Sequence, residues 1–135
     1  MKSTNPHSLT VELEPNNVLH SKLLDVYFYD QFVVVEAKEG VTISYQTAFS
    51  ILIKGMQYCT KKKFFYISNR KNSYSLNPND YKYLERIPNL AGIAIVTPSE
   101  LGQKNAELES NFFNKPMEIF DRIESAHAWG MALLD

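Results

Sequence analysis

The sequence predicts an α/β layer built on a mixed sheet, and three observations carry that reading. Two β-branched and aromatic runs, residues 23–29 and 32–37, stand only Asp30-Gln31 apart and read as an antiparallel hairpin. A long amphipathic stretch separates this pair from a third apolar run, residues 64–68, which is enough chain for a crossover to a parallel neighbour. Beyond it, strand-like and helix-like segments alternate to residue 135. With 44% hydrophobic residues, the 135-residue chain fits one domain with an ordinary core.

Taken in order, residues 1–22 are polar and carry Pro6, Pro15 and Asn16-Asn17. They read as an N-terminal arm that is either flexible or adds an edge strand through the alternating Leu9-Thr10-Val11-Glu12-Leu13-Glu14. The domain proper spans residues 23–135. Residues 44 to about 61 give the strongest helix, because Tyr45, Ala48, Phe49, Leu52, Ile53 and Met56 form one apolar stripe. Thr42 or Ser44 can cap it, and Lys61-Lys62-Lys63 suits the negative end of its dipole. Residues 69–78 are loop. Asn77 as cap and Pro78 at the first helical position then open a short helix that ends before Pro88. Residues 90–96 form another buried strand.

Thr97-Pro98-Ser99-Glu100 reads as a capping box, and the helix it opens carries Leu101, Leu108, Phe112 and Phe113 on or near one face. Residues 116–120 form a short strand. Asp121-Arg122-Ile123-Glu124 is a second, box-like cap, before a last helix with Ile123, Ala126, Trp129, Met131, Leu133 and Leu134.

Several function classes are excluded by what the chain contains. Fourteen Lys and Arg against fifteen Asp and Glu leave a net charge of −1, without the basic field of a typical nucleic-acid binder. No apolar run approaches the ~18 residues of a membrane helix, and Lys2 is followed by Asn5, Pro6 and His7, not by a leader. The one cysteine, Cys59, forbids an internal disulfide and fits a reducing, cytoplasmic setting. The histidines are His7, His20 and His127, and no metal-ligand spacing, phosphate loop or nucleophile elbow appears. The expectation is a protein that is not an enzyme and holds no metal or cofactor.

The best candidate site is the loop after the third apolar run, where Arg70, Asn72, Ser73, Tyr74 and Ser75 lie between a buried strand and a helix start. Arg70 could fork a carboxylate or phosphate, so its replacement by Ala is expected to weaken capture while leaving stability nearly unchanged. The competing reading is that these polar residues satisfy the turn backbone. A second candidate surface lies on the long helix, where Ile51, Gly55 and Tyr58 widen the apolar stripe beyond one sheet contact.

These residues together resemble the STAS-like group related to anti-sigma-factor antagonists, the SpoIIAA-like proteins, and more narrowly its small uncharacterised bacterial members. The resemblance rests on Val26-Tyr27-Phe28-Tyr29 with Phe32-Val33-Val34-Val35-Glu36, and on Glu39-Gly40-Val41-Thr42 entering the long helix. It continues through residues 66–75, Gly92-Ile93-Ala94-Ile95-Val96, and Phe120 followed by Glu124, Ala126 and Trp129. It implies a single sheet of four to five strands with helices packed mainly on one side. It also implies a signalling module that binds a protein, with Ser75 as the candidate phosphorylation site. The partner is an unidentified protein or a second copy forming a homodimer; nucleic acid and a transmembrane segment are not expected. The alternative is a carrier or sensor of a small apolar or anionic, lipid-like ligand, which a deep pocket lined by Tyr27, Tyr29, Phe49 and Tyr74 would favour.

Overall fold

The computed structural model describes residues 15–44, 62–72 and 75–135, the side chain of Ser75 apart. The alternating piece at residues 9–14, the long helix from residue 45 with Ile51, Gly55 and Tyr58, Cys59, and the loop residues Ser73 and Tyr74 lie outside the described residues.

Among the described residues eight strands are formed: β1 (Asn17–His20), β2 (Leu24–Phe28), β3 (Phe32–Ala37), β4 (Thr42–Ile43), β5 (Phe64–Asn69), β6 (Ser75–Leu76), β7 (Leu90–Val96) and β8 (Met117–Phe120). The helices are α1 (Tyr81–Glu85), α2 (Glu100–Glu109) and α3 (Ile123–Leu134). Six strands make one mixed sheet in the order β1-β2-β3-β5-β7-β8, while β4 and β6 pair separately. The hairpin closes around Asp30-Gln31 as expected, with Phe28 opposite Val33 and the Tyr29 N–H donating to the Phe32 carbonyl at 2.8 Å. From β3 onward the neighbours β5, β7 and β8 are all parallel.

The sheet thus has six strands, not four or five. The extra one is β1, an antiparallel partner of β2 whose Asn17, Val18 and His20 are exposed. An edge strand that buries so little has no apolar alternation to reveal it. The turn behind it is legible afterwards: the Ser21 hydroxyl accepts from the Leu23 and Leu24 N–H groups and donates to the Leu24 carbonyl.

Every residue of β3 is buried, which explains why Phe32-Val33-Val34-Val35 reads as a continuous apolar run and not an alternating one. Val33 and Val35 pack with Leu84 and Tyr81 of α1 and Ala106 of α2; Phe32 and Val34 pack with Ala126 of α3. The described helices therefore occupy both faces, α1 and α2 on one and α3 on the other. The physical reason is topological. The steps β5 to β7 to β8 advance in one direction, so right-handed crossovers send α1 and α2 to the same face. Helix α3 makes no crossover, and it covers the face that would otherwise leave Phe65, Ile67 and Val96 in water.

Two caps also differ from expectation. Ser99, not Thr97, caps α2, its hydroxyl accepting from the Gly102 N–H at 3.0 Å. Thr97 still belongs to the sheet, donating its N–H to the Phe120 carbonyl at 2.8 Å, so the chain turns at Pro98 before helix begins. At α3 the cap position is Arg122 and no side chain bonds there, so Asp121 is not a cap. Asn77 does cap, accepting from the Asn79 N–H at 3.1 Å over a 3-10 turn, Pro78–Asp80, that leads into α1.

Helix α3 sits very close to the sheet. A Cβ on Gly130 would overlap the Phe65 ring. That ring belongs to a stack in which Tyr29, Phe32 and Phe65 follow at centroid distances of 4.4 and 5.2 Å, and His127 packs on Phe32 at 5.0 Å. Gly130→Ala should therefore destabilise the fold by about 1–3 kcal/mol through overpacking, read as a lowered urea midpoint; an unchanged midpoint would contradict this contact. Burial lowers the His127 imidazole below its ordinary value. The unfolded chain then takes up a proton first as pH falls, so this residue's contribution to stability is whole above the ordinary imidazole range and declines on descending through it. Urea midpoints measured from neutral to mildly acidic pH should fall less steeply for His127→Gln than for the parent, and parallel profiles would refute the assignment.

Candidate functional site at the carboxyl end of β5

The loop after β5 keeps the strand pleat for a few residues, so its side chains go to alternate faces of the sheet. Asn69 and Lys71 turn to the α3 face; Arg70 turns to the face of α1 and α2. Its backbone stays in the ladder, the Arg70 N–H donating to the Val96 carbonyl at 2.8 Å.

Arg70 does fork a carboxylate, but it is the chain's own. Nη1 donates to Glu109 Oε2 at 2.7 Å and Nη2 to Glu109 Oε1, while Nε donates to the Ser68 hydroxyl at 3.2 Å. Tyr81 completes the group: its hydroxyl accepts from Nη2 at 3.2 Å and donates to Glu109 Oε1 at 2.6 Å. The side chains of Arg70 and Glu109 are only 11% and 10% exposed. Burial pushes the Tyr81 phenol well above its usual value, the Arg70 charge opposing and Glu109 reinforcing the shift. So Arg70 is not a fork held open for a ligand. It joins β5 to α1 and α2.

On the other face, Glu36 is 4% exposed and is held by Lys71 Nζ at 3.0 Å and by the Asn69 amide at 2.8 Å. The hydrogen bond it donates to Glu36 raises the Lys71 ammonium above its usual value, against a smaller opposing effect of burial. Asp25 stands opposite Glu36 in the ladder, engaged by Lys38 at 3.2 Å and His20 at 2.8 Å. The Tyr27 phenol is raised by burial first, then by the charges of Glu36 and Asp25. Asn72 ties the loop down through its amide, which donates to the Ala37 carbonyl at 3.1 Å. Ser75 enters the two-residue ladder opposite Thr42.

Between this loop and α2 lies an open groove of about 610 Å³, beyond the carboxyl ends of β5 and β7. Arg70, Lys71 and Asn72 line one side and Ser99, Leu101, Gly102, Asn105 and Leu108 the other. The orientation of α2 is the main departure from the sequence reading. Its inner face is made of Gly102, Ala106 and Glu109, and a Cβ on Gly102 would strike the Thr97 side chain. Leu101, Leu108 and Phe112 face outward, 70%, 65% and 45% exposed, and of the expected apolar face Phe113 alone is buried.

Sequence reasoning missed Glu109, Tyr81 and the outward leucines. The small residues Gly102 and Ala106 at i and i+4 were the available signal, since they mark the side of a helix that approaches a sheet closely. Arg70 and His127 do not meet: His127 packs on Phe32 and Phe65 on the face opposite the Arg70 network. Among the described residues, no three His, Cys, Asp or Glu side chains lie together as a metal site, and no helix is long and apolar enough to cross a membrane.

The sheet order, the parallel crossovers and the terminal helix define a SpoIIAA-like fold. The chain is similar, at a TM-score of 0.51 and 13% identity, to the crystal structure of an uncharacterised protein of the DUF3478 family with a SpoIIAA-like fold from Shewanella loihica. That similarity covers 96% of this chain and 98% of the other. No protein-family model matches the sequence, and no curated protein does either.

Arg70→Ala leaves the Glu109 carboxylate buried without its counterion, which should cost about 3–5 kcal/mol, in place of the negligible loss expected from sequence. Replacing both members, as Arg70→Met with Glu109→Leu, should cost clearly less than the single change. Guanidinium unfolding of the two variants and the parent decides it; a single variant as stable as the parent would show the pair to be dispensable.

Proposed function

We propose that the chain is a non-enzymatic binding module that engages a protein partner along α2 and the groove beside it. The observation that carries this reading is the exposure of Leu101 and Leu108, at i and i+7 on one side of α2, with Phe112 also exposed in the 3-10 turn Ser110–Phe112 that follows. Large apolar side chains left together in water are the usual mark of a surface that another molecule covers. Leu101 and Leu108 line the 610 Å³ groove, so a partner segment would find apolar anchors beside polar loop groups.

The non-enzymatic half of the proposal rests on how the reactive side chains are engaged. Arg70 with Glu109, and Lys71 with Glu36, are internal pairs, and His127 is set among aromatic rings on the other face. For the alternative of a carrier, the cavity inside the core next to Arg70 measures about 20 Å³, room for roughly one water molecule. Among the described residues a lipid-like ligand would have to lie in one of the open grooves, which favours the protein-binding reading.

The test uses charge on the ridge. Leu101→Lys combined with Leu108→Lys alters exposed positions and should leave the thermal midpoint close to the parent's. A tagged parent protein should retain a defined partner from its native cells, identified by mass spectrometry, and the double variant should lose it. If every retained protein binds the variant equally, or if none is retained, the ridge is not the docking surface. Sedimentation velocity on the purified protein identifies the case in which the partner is a second copy.

A further inference from the structure

We propose that the outer edge of β8 is a separate docking site, which accepts an extended basic segment of a partner protein as a seventh strand of the sheet. Among the described residues β8 has a neighbour, β7, on one side only. The pattern of its ladder says which peptide groups remain. The carbonyls of Pro116 and Phe120 accept from the Ile93 and Thr97 N–H groups, so the residues between them in the alternation, Met117 and Ile119, direct their N–H and C=O groups away from β7. An incoming strand needs such a row of groups.

This edge is also shaped to receive one. A groove of about 620 Å³ runs along β8, walled on one side by Glu107 and Ser110 at the end of α2, and on the other by Asp121 and Ser125 at the start of α3. Because α2 and α3 lie on opposite faces, the edge is recessed between two helices as a slot. Edges that must stay unpaired are commonly guarded by an inward or flanking lysine or by a bulge, and none of the described residues lining this slot is a lysine or arginine. The charges are instead acidic: Glu107 on the α2 wall, Glu118 on the strand and Asp121 on the α3 wall. The cations that flank the strand are engaged elsewhere: Lys115 donates to the Ile87 and Leu90 carbonyls at 2.7 and 2.9 Å, and Arg122 is turned to Glu124 at 3.5 Å. Carboxylates on both sides of an open ladder select a strand bearing Lys or Arg, and backbone pairing makes the interaction tolerant of its other residues. The strand at the opposite edge, β1, carries no carboxylate among its residues Asn17–His20.

The experiment titrates the full-length protein into a fluorescein-labelled peptide of alternating Lys and Val, read by anisotropy. Three controls accompany it: the same peptide N-methylated at alternate residues, a Glu–Val counterpart, and the protein carrying Glu118→Lys with Asp121→Lys, both exposed positions. The Lys–Val peptide should bind, weakening about tenfold or more in the charge-reversed variant; the N-methylated and acidic peptides should not bind measurably. Hydrogen exchange by NMR should slow at the Met117 and Ile119 amides when the Lys–Val peptide is present. No binding, equal binding of the N-methylated peptide, or binding without protection of those two amides would each overturn the proposal. The ridge variant with Leu101→Lys and Leu108→Lys should bind the peptide like the parent, which separates this site from the α2 ridge.

Discussion

The arrangement of this molecule depends on one buried ion pair. Arg70 leaves the end of β5 and meets Glu109 at the far end of α2, with Tyr81 of α1 closing the triangle. Three elements distant in sequence are thereby held at one point. Neither charge could be left there alone, because an unpaired ion in so dry a place would cost several kcal/mol. Whether the pair stabilises the fold relative to an apolar replacement is a different matter, and general experience says such pairs often do not. Its contribution here is geometric. Five donors in a rigid fork allow few ways to satisfy two carboxylate oxygens, a serine and a tyrosine at once. The position of α2 over the sheet follows from that.

Once α2 is fixed by Glu109, its inner face must be thin. Gly102 lies against Thr97, and Ala106 is fully buried, so the helix comes close enough for the carboxylate to reach across. The same constraint expels the leucines. A helix that shows glycine, alanine and a paired glutamate to the core has no inward position left for Leu101 and Leu108, and these become the exposed ridge. The buried pair and the proposed docking surface are thus two sides of one helix.

The parts of the fold that were legible in the sequence are those that burial writes into it. Strands β3, β5 and β7 were read from unbroken apolar runs because both faces of the sheet are covered there, whereas β2 buries alternate positions and was read from the apolar residues around Asp25. Strand β1 left no such trace, since an exposed edge is held by backbone bonds that any residue can make. The candidate loop was read as a place where polar side chains gather at a strand end, and Arg70, Lys71 and Asn72 do follow β5 there. Its chemistry was misjudged for a reason that applies widely: Arg70 announces that a carboxylate will be gripped, but a linear sequence does not say whether the carboxylate comes from a ligand or from Glu109, thirty-nine residues away. Glu109 itself, near the end of a helix with other acids, reads as a solvated residue.

The direction of the chain across the sheet also decides where partners can approach. Advancing from β3 through β5 and β7 to β8, each step extends the sheet the same way, so the parallel strands present their carboxyl ends together and open the groove beside α2. The progression has to stop somewhere, and it stops at β8. After it the chain crosses to the opposite face as α3, leaving the last strand flanked by a helix on each side and paired on one. The groove at the strand ends and the slot along the final strand are therefore consequences of one topology, and α2 borders both.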